Sequence, residues 1–272
     1  GAQVTLLDPW GPGNARASSG GETRIIRATY GPLRVFTQLT ARALTLWQEH
    51  EQRWGRTFYV RTGSLRIKSV DDERAEQAAM PLLKEAGLSL EYVALDEAAR
   101  RYPQISFEGV KKVFFEPEAG FLLARDSCRA VVEQFVAAGG SYRQLSAVPG
   151  EAKSGRLGGI TLSDGTTLTA DHYVFACGAW LREIIPEVVG DLIRPTRQEV
   201  FYFGTPIGDN RFNDPQMPVW VDSAARVFYG IPGNRGRGFK VADDTRGPRF
   251  EPTTGDRMPT AEGLAAARAL LV

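Results

Sequence analysis

Three stretches of the sequence carry side chains whose types and spacing could do chemistry. The first is Ser18-Ser19-Gly20-Gly21-Glu22-Thr23-Arg24-Ile25-Ile26-Arg27. Its small residues let backbone approach a bulky ligand, and two guanidinium groups flank an apolar pair. A guanidinium fork matches a carboxylate bidentately, which a point-like ammonium does not. The bland alternative for Arg24 and Arg27 is a solvated basic edge, although an arginine pair around Ile25-Ile26 after a glycine loop is a poor pattern for a free surface. The second stretch is the apolar run Val4-Thr5-Leu6-Leu7, read as a buried strand closed by Asp8 and broken by Pro9-Trp10-Gly11-Pro12-Gly13. A carboxylate at a strand end can accept hydrogen bonds from ribose hydroxyls, whereas Asp before Pro is also an ordinary loop opening. The third is Gly236-Arg237-Gly238-Phe239-Lys240, where a lysine closes an apolar strand. Taken alone, such a lysine reads as a snorkelling surface residue.

A further glycine, Gly178, follows Val174-Phe175-Ala176-Cys177 and precedes Ala179-Trp180. It permits close backbone approach at a strand end, where open α/β sheets hold ligands, and Trp180 offers a flat wall. A helix cap followed by a core tryptophan is the competing reading. His50 and His172 show no ligand spacing, so no metal site is expected.

These groups need elements to hold them. Pro32 to Trp54 carries Leu33, Phe36, Leu39, Ala43, Leu46 and Trp47 at helical spacing, predicting a long helix with that face in the core and a stop at Gly55. Phe58–Val60 and Ser64–Ile67 flank Thr62-Gly63 and predict an antiparallel pair. Ser69 and Asp96 are expected to cap two helices, Asp126 a third that closes at Gly139-Gly140. Strand Ser141–Leu145 follows that helix at once and restores α/β alternation. Residues 160–162 and 167–169 around Asp164-Gly165 predict a hairpin, and Tyr173–Ala176 a buried strand. From Pro195 the pattern is strand-rich: Glu199–Phe203, Pro218–Val221, Val227–Tyr229 and Phe239–Val241 alternate with Gly and Pro turns, as in an antiparallel sheet covering a ligand pocket.

The spacing of Asp8, the Ser-Ser-Gly-Gly-Glu-Thr-Arg-Ile-Ile-Arg run, Gly178-Ala179-Trp180, Tyr229-Gly230-Ile231-Pro232 and Gly238-Phe239-Lys240 resembles the monomeric sarcosine oxidase and N-methyltryptophan oxidase group of the FAD-dependent amine and D-amino-acid oxidases. The resemblance covers nearly the whole chain. It implies an α/β fold, with an interrupted Rossmann-like FAD-binding domain and a second α+β domain built on a mostly antiparallel sheet. The expected boundaries are 1–55 and 121–192 for the first, and 56–120 and 193–272 for the second. It implies that Asp8, Ser18, Ser19, Thr23, Arg24 and Ile25 contact FAD, with Val148 at the adenine and Gly178 and Trp180 nearby. Arg24 would lie against the flavin, Arg27 would hold the substrate carboxylate, Tyr229 would line the substrate pocket and Lys240 would face the ring and promote reaction with oxygen. The implied reaction is hydride transfer from a secondary or N-methyl amine to flavin, with reoxidation by oxygen to hydrogen peroxide. An amine or amino-acid dehydrogenase using another acceptor and a non-catalytic fragment are the alternatives.

Two departures stand out. Gly20 and Asp244 occupy positions where sarcosine-oxidising members carry histidines, so the resemblance reaches amine oxidation without reaching sarcosine itself. Family members begin with a strand and a glycine-fingerprint turn ahead of the position matching Gly1 and continue past the position matching Val272, so weak FAD binding by the chain alone is expected.

Composition sets the outer bounds. The 272 residues include 33 Lys+Arg against 32 Asp+Glu, a formal charge of +1, with 43% hydrophobic residues. Such a chain can bury one large or two modest cores, and no global field argues for nucleic acid or an anionic membrane. No apolar run is long enough to span a bilayer. Two cysteines, Cys128 and Cys177, do not make a disulfide framework and favour a reducing compartment. A cytoplasmic monomer acting on a small-molecule amine is the expectation.

Overall fold

The computed structural model describes residues 1–223 and 226–271. Its strands and helices, in chain order, are β1 (Thr5–Leu7), β2 (Arg24–Ile26), α1 (Arg34–Trp54), β3 (Tyr59–Val60), β4 (Ser64–Lys68), α2 (Arg74–Glu85), β5 (Glu91–Val93), α3 (Leu95–Arg101), β6 (Lys112–Glu116), β7 (Gly120–Leu122) and α4 (Ala124–Ala137). There follow β8 (Ser141–Arg143), β9 (Ala147–Pro149), β10 (Ala152–Lys153), β11 (Arg156–Leu157), β12 (Ile160–Leu162), β13 (Thr167–Leu168), α5 (Leu181–Ile184), α6 (Pro186–Val189), β14 (Val200–Phe203), β15 (Val219–Ser223), β16 (Val227–Ile231), β17 (Phe239–Asp243) and α7 (Ala261–Ala269). The chain divides into two compact units. Gly1–Glu22, Ala124–Arg197 and Pro248–Asp256 form the first; Thr23–Leu123, Gln198–Gly247 and Arg257–Val272 form the second. Residues 23–55 and 121–123 therefore pack with the second unit, and 193–197 and 248–256 with the first, across the boundaries expected from the sequence.

In the first unit β1 pairs in parallel with β8, the α/β alternation expected around α4. The hairpin β12–β13 forms as expected and extends to β9. Two expectations fail here. The run ending at Asp8 is not a buried strand: Val4 and Leu6 are exposed, because β1 has a single strand partner in a two-stranded sheet. Tyr173–Ala176 forms no strand, and Val174 is 90% exposed. An apolar run becomes a strand only where a neighbour takes its N–H and C=O groups, and none does so here among the described residues.

The second unit is built on a seven-stranded sheet of order β14-β17-β16-β15-β4-β6-β5. Every junction is antiparallel except β15–β4. One face buries Leu65, Ile67, Val113, Trp220, Phe239 and Val241 against α3 and α7 residues such as Ala98 and Ala267. The other face carries the candidate site. Above it lies a small sheet of order β2-β7-β3. The expected pairing of 58–60 with 64–67 is absent: β3 joins β7, while β4 joins β6 and β15. Gly63, at φ +73, turns the chain from one sheet to the other instead of closing a hairpin.

Helix α1 ends as predicted, with Gly55 at φ +63 donating its N–H to the Glu51 carbonyl. The predicted face is buried only in its C-terminal half, where Ala43 and Trp47 pack with Leu44. Thr37 and Leu44 face inward, whereas Leu33, Phe36 and Leu39 are exposed. Ser69 does not cap α2, and Asp96 and Asp126 sit within the first turns of α3 and α4 rather than at their caps. Among the described residues, no helix is long and apolar enough to cross a membrane, and no cluster of three or more His, Cys, Asp or Glu could hold a metal ion.

Candidate active site

Register places the site on one sheet face. Cross-strand partners point to the same side, and residues two apart on a strand share that side. Phe114, Arg66, Val221, Tyr229, Ala242 and Val200 are successive partners and form one row. A second row, two residues along, starts at Glu116 and Ser64, crosses Val219, and ends at Ile231, Lys240 and Tyr202. Glu116 and Lys240 thus lie on the same row of one face, separated by three intervening strands.

The segment Thr23–Thr29 runs over this face. The Lys240 ammonium donates to the Thr23 carbonyl at 2.9 Å and lies 5.9 Å from the centre of the Tyr229 ring. Lys240 is 2% exposed, so the snorkelling alternative does not describe it. The turn before it requires glycine: Gly238 has φ +76, and a Cβ there would sit 2.3 Å from the Phe203 carbonyl oxygen. That contact lets β17 close on β14 and carry Lys240 into the interior.

Ile25 packs with Tyr229, Val219 and Ile231, while Ile26 turns to Leu44 of α1. This explains the apolar pair between the arginines: one side chain goes to the sheet and one to the helix. Arg24 is exposed at its side chain yet near enough to Tyr229 to act on it electrostatically. Burial raises the Tyr229 phenol and Arg24 pulls it down. Arg27 donates to the Thr29 carbonyl, and its guanidinium lies over the Tyr30 ring at 4.7 Å. Burial and the neighbouring Arg66 lower its pKa, while Tyr30, Glu116 and Asp244 raise it. Five of the sequence-derived candidates, Thr23, Arg24, Ile25, Tyr229 and Lys240, are therefore brought together. Arg27 stands beside them at the other end of the strap.

The remaining candidates belong to the first unit. The Asp8 carboxylate accepts the backbone N–H groups of Trp10 and Gly11 through Oδ1, at 2.8 and 2.7 Å. Ser18 and Ser19 form a short 3-10 turn with Gly20. Gly178 has φ +53 at the start of a second such turn that ends in Trp180. The Trp180 indole packs against Trp10 with ring centres 4.7 Å apart and planes tilted by 45°, and donates to Thr253 Oγ1. Val148 lies exposed in β9.

Whether FAD suits these residues can be tested on the atoms themselves. Thr23 is fully buried, yet its hydroxyl has no hydrogen-bond partner among the described residues. Beside it the Lys240 ammonium is bonded to a carbonyl. An unspent hydroxyl next to a buried cation suits a polar, electron-rich ring edge. Gly178 opens on empty space, so backbone can meet a ligand there, and Asp8 Oδ2 is left available for hydroxyl donors. The residues fit the group.

Glu116 was not among the candidates. It reads in sequence as the start of the turn Glu116-Pro117-Glu118-Ala119, although a carboxylate ending the apolar strand Val113-Phe114-Phe115 was the available signal. It is fully buried and accepts from Ala28 N, Thr29 N and Thr29 Oγ1. Burial raises its pKa, and those hydrogen bonds together with Arg27 oppose the rise. A polar cleft lined by Asn210, Asn213, Asp214, Gln216 and Asn234 holds none of these groups.

The second unit thus holds a buried cation beneath an arginine-bearing strap on a mostly antiparallel sheet, and the first pairs two parallel strands and carries a carboxylate at a strand end. The comparisons give the class of protein. Residues 1–271 match the family described as FAD dependent oxidoreductase, and the chain belongs to that family. It is 28% identical over 260 residues to the monomeric sarcosine oxidase of Bacillus sp. (strain B-0618), covering 94% of this chain and 66% of that protein. It is 26% identical over 237 residues to the N-methyl-L-tryptophan oxidase of Citrobacter koseri, covering 85% of this chain and 61% of the relative. The chain thus spans less than two thirds of these relatives. The L-proline dehydrogenase of P.horikoshii shares the fold with a TM-score of 0.75 at 15% identity, covering 99% of this chain and 75% of that one. The fructosyl peptide oxidase of E. terrenum does so with a TM-score of 0.73 at 20% identity, covering 98% and 67%.

Proposed function

We propose that this chain forms part of an FAD-dependent oxidase of secondary or N-methyl amines that bear a carboxylate. When bound, FAD supplies the two-electron acceptor for a hydride leaving the carbon next to the amine nitrogen. The chain's own residues supply holding and electrostatics. In the first unit, Asp8 would accept ribose hydroxyls, Ser18, Ser19 and Gly178 would let backbone approach, Trp180 would wall the site and Val148 would offer its backbone to adenine. In the second, Thr23, Arg24 and Ile25 would lie along the ring system.

Arg27 would hold the substrate carboxylate, which places the amine-bearing carbon, and Tyr229 would close one side. Loss of the hydride leaves an imine, which water hydrolyses to a carbonyl compound and the shorter amine. Dioxygen taking up two electrons and two protons gives hydrogen peroxide. The Lys240 ammonium, buried and fixed on the Thr23 carbonyl, would stabilise negative charge as it builds on dioxygen. That buried ammonium is the observation that carries the oxidase reading over the dehydrogenase one.

The test separates the half-reactions, with the chain saturated with added FAD. Lys240→Met should slow oxygen uptake driven by N-methyl amino acids by about 100-fold or more, the scale of losing one preorganised electrostatic group. Anaerobic bleaching of the flavin by the same substrates should change much less. Equal loss in both would assign Lys240 to amine oxidation or structure, and unchanged oxygen uptake would favour another acceptor.

A further inference from the structure

The strap that carries Arg24 and Arg27 is pinned at both ends by charged side chains from one row of the sheet. At one end the Lys240 ammonium holds the Thr23 carbonyl at 2.9 Å. At the other the Glu116 carboxylate takes three donors: the N–H of Ala28, the N–H of Thr29 at 3.1 Å and the hydroxyl of Thr29 at 2.5 Å. The row offers the span that the strap needs. Four strand spacings cover about 19 Å, and six residues of extended chain reach about 20 Å. The Ala28 carbonyl is fixed as well, by Thr37 Oγ1 of α1 at 3.1 Å. With both ends set, the only conformational freedom left to the Arg27 head group is in its own side chain, and that is tied back to the Thr29 carbonyl.

We propose that Glu116 is a positioning residue for Arg27: by locking the Ala28–Thr29 backbone, it sets where the guanidinium presents its fork to the substrate carboxylate. The inference rests on the reading of Arg27 given above. Glu116 is fully buried and would act through the Ala28–Thr29 backbone. Its fit to the role is chemical. Only an acceptor with two oxygens can take three donors from two consecutive residues, and a buried carboxylate left without them would be costly. Its negative charge also offsets the cationic neighbourhood, since Arg66 lies close enough to Arg27 to depress its pKa while Glu116 and Asp244 raise it. A guanidinium crowded by a second one needs such compensation to stay in place, and a bidentate pair loses strength quickly when its geometry slips.

The readout is discrimination between N-methyl-L-alanine and its primary amide, measured as the ratio of their dissociation constants by NMR titration of the full chain with excess FAD. A residue that merely supports the fold changes both affinities or the melting temperature alike; a residue that aims Arg27 changes the ratio. Glu116→Gln keeps shape and one acceptor oxygen but faces an amide NH2 toward a donor, and should shrink the preference for the acid about tenfold, the factor that accompanies loss of one well-aligned hydrogen bond to a charged group. Thr29→Val removes only the hydroxyl donor and should shift the ratio in the same direction by a smaller factor; it also serves if Glu116→Gln does not fold. Glu116→Asp, restoring the charge with a shorter reach, should recover part of the preference. An unchanged ratio in Glu116→Gln and Thr29→Val, with collapse in Arg27→Lys, would overturn the proposal and leave the Arg27 reading standing. No preference in the wild type, or none lost in Arg27→Lys, would overturn that reading and this inference with it.

Discussion

The two units use the same residue types in opposite ways. In the second, Val113, Val219 and Val241 are shielded completely between sheet neighbours and packed helices or strands. In the first, Val4, Val148 and Val174 are all exposed. β-Branched residues favour extended backbone, but the stabilisation comes from cross-strand and face-to-face packing. The second unit provides that packing within itself, and so can hold charged groups such as Lys240, Glu116 and Glu76 in fixed positions. The first provides a parallel pair, a two-stranded hairpin and a three-stranded sheet, and its candidates other than Val148 sit on turns: Asp8, Ser18, Ser19, Gly178 and Trp180.

If that contrast is real in solution, the largest effects belong to buried charge in the second unit. Glu76 is fully buried and accepts from Arg66 Nε at 3.0 Å and Lys68 Nζ at 2.9 Å. Glu76→Ala would strand two cations in a shielded site and should cost about 3–5 kcal/mol. Urea denaturation checks it, through a lower midpoint at unchanged slope. A loss below about 1 kcal/mol would mean that both cations relax into water, and the second unit would then be no better sealed than the first.

A smaller effect is expected from Tyr59, whose phenol is pushed from 10.0 to about 12, mainly by burial. The sign follows from the neutral form being the protonated one. Folding favours that form, so the contribution is complete below pH 10 and is lost as the pH rises through 12. The loss should reach about 2–3 kcal/mol, two pKa units' worth. Tyr59→Phe should flatten the alkaline limb of the stability profile. It should also lower stability at neutral pH by about 1 kcal/mol, because the Glu118 carbonyl loses its donor. A Tyr59 phenol that titrates near pH 10 in the native protein would show the α1–β3 region to be wetter than the structure has it.

The same contrast explains what could be read in the sequence. The strands β14 to β17 were legible because their alternation is local and two of their junctions, β15–β16 and β16–β17, join consecutive strands. The 58–67 hairpin was misread because each of its strands has a more distant partner, and the face of α1 because the N-terminal half of its apolar stripe is left exposed. Arg24, Arg27 and Lys240 stood out by type, spacing and resemblance, and the structure adds how they are placed rather than what they do. The sequence shows Glu116 only as a carboxylate ending an apolar strand, because its partners are 87 and 88 residues away. No periodicity reports a hydrogen bond across that distance. Tyr173–Ala176 was read from composition alone, and composition does not supply a neighbouring strand.

That last segment gives the smallest and most discriminating prediction. Val174 is 90% exposed, so Val174→Ser removes almost no buried area and should change stability by no more than about 0.5 kcal/mol. The same change at Val219, which is 0% exposed, removes a methyl-rich side chain from the packing against Ile231 and Phe121 and places a hydroxyl there. It should cost about 2–4 kcal/mol from lost transfer energy and an unpaired polar group together. Chemical denaturation of the two variants side by side measures the difference directly. Hydrogen exchange adds the local view, with slow amides in β15 and β16 and fast ones through 173–176. A cost above about 1 kcal/mol at Val174, or slow exchange there, would mean that something buries this run in solution, and the exposed character of the first unit would have to be given up.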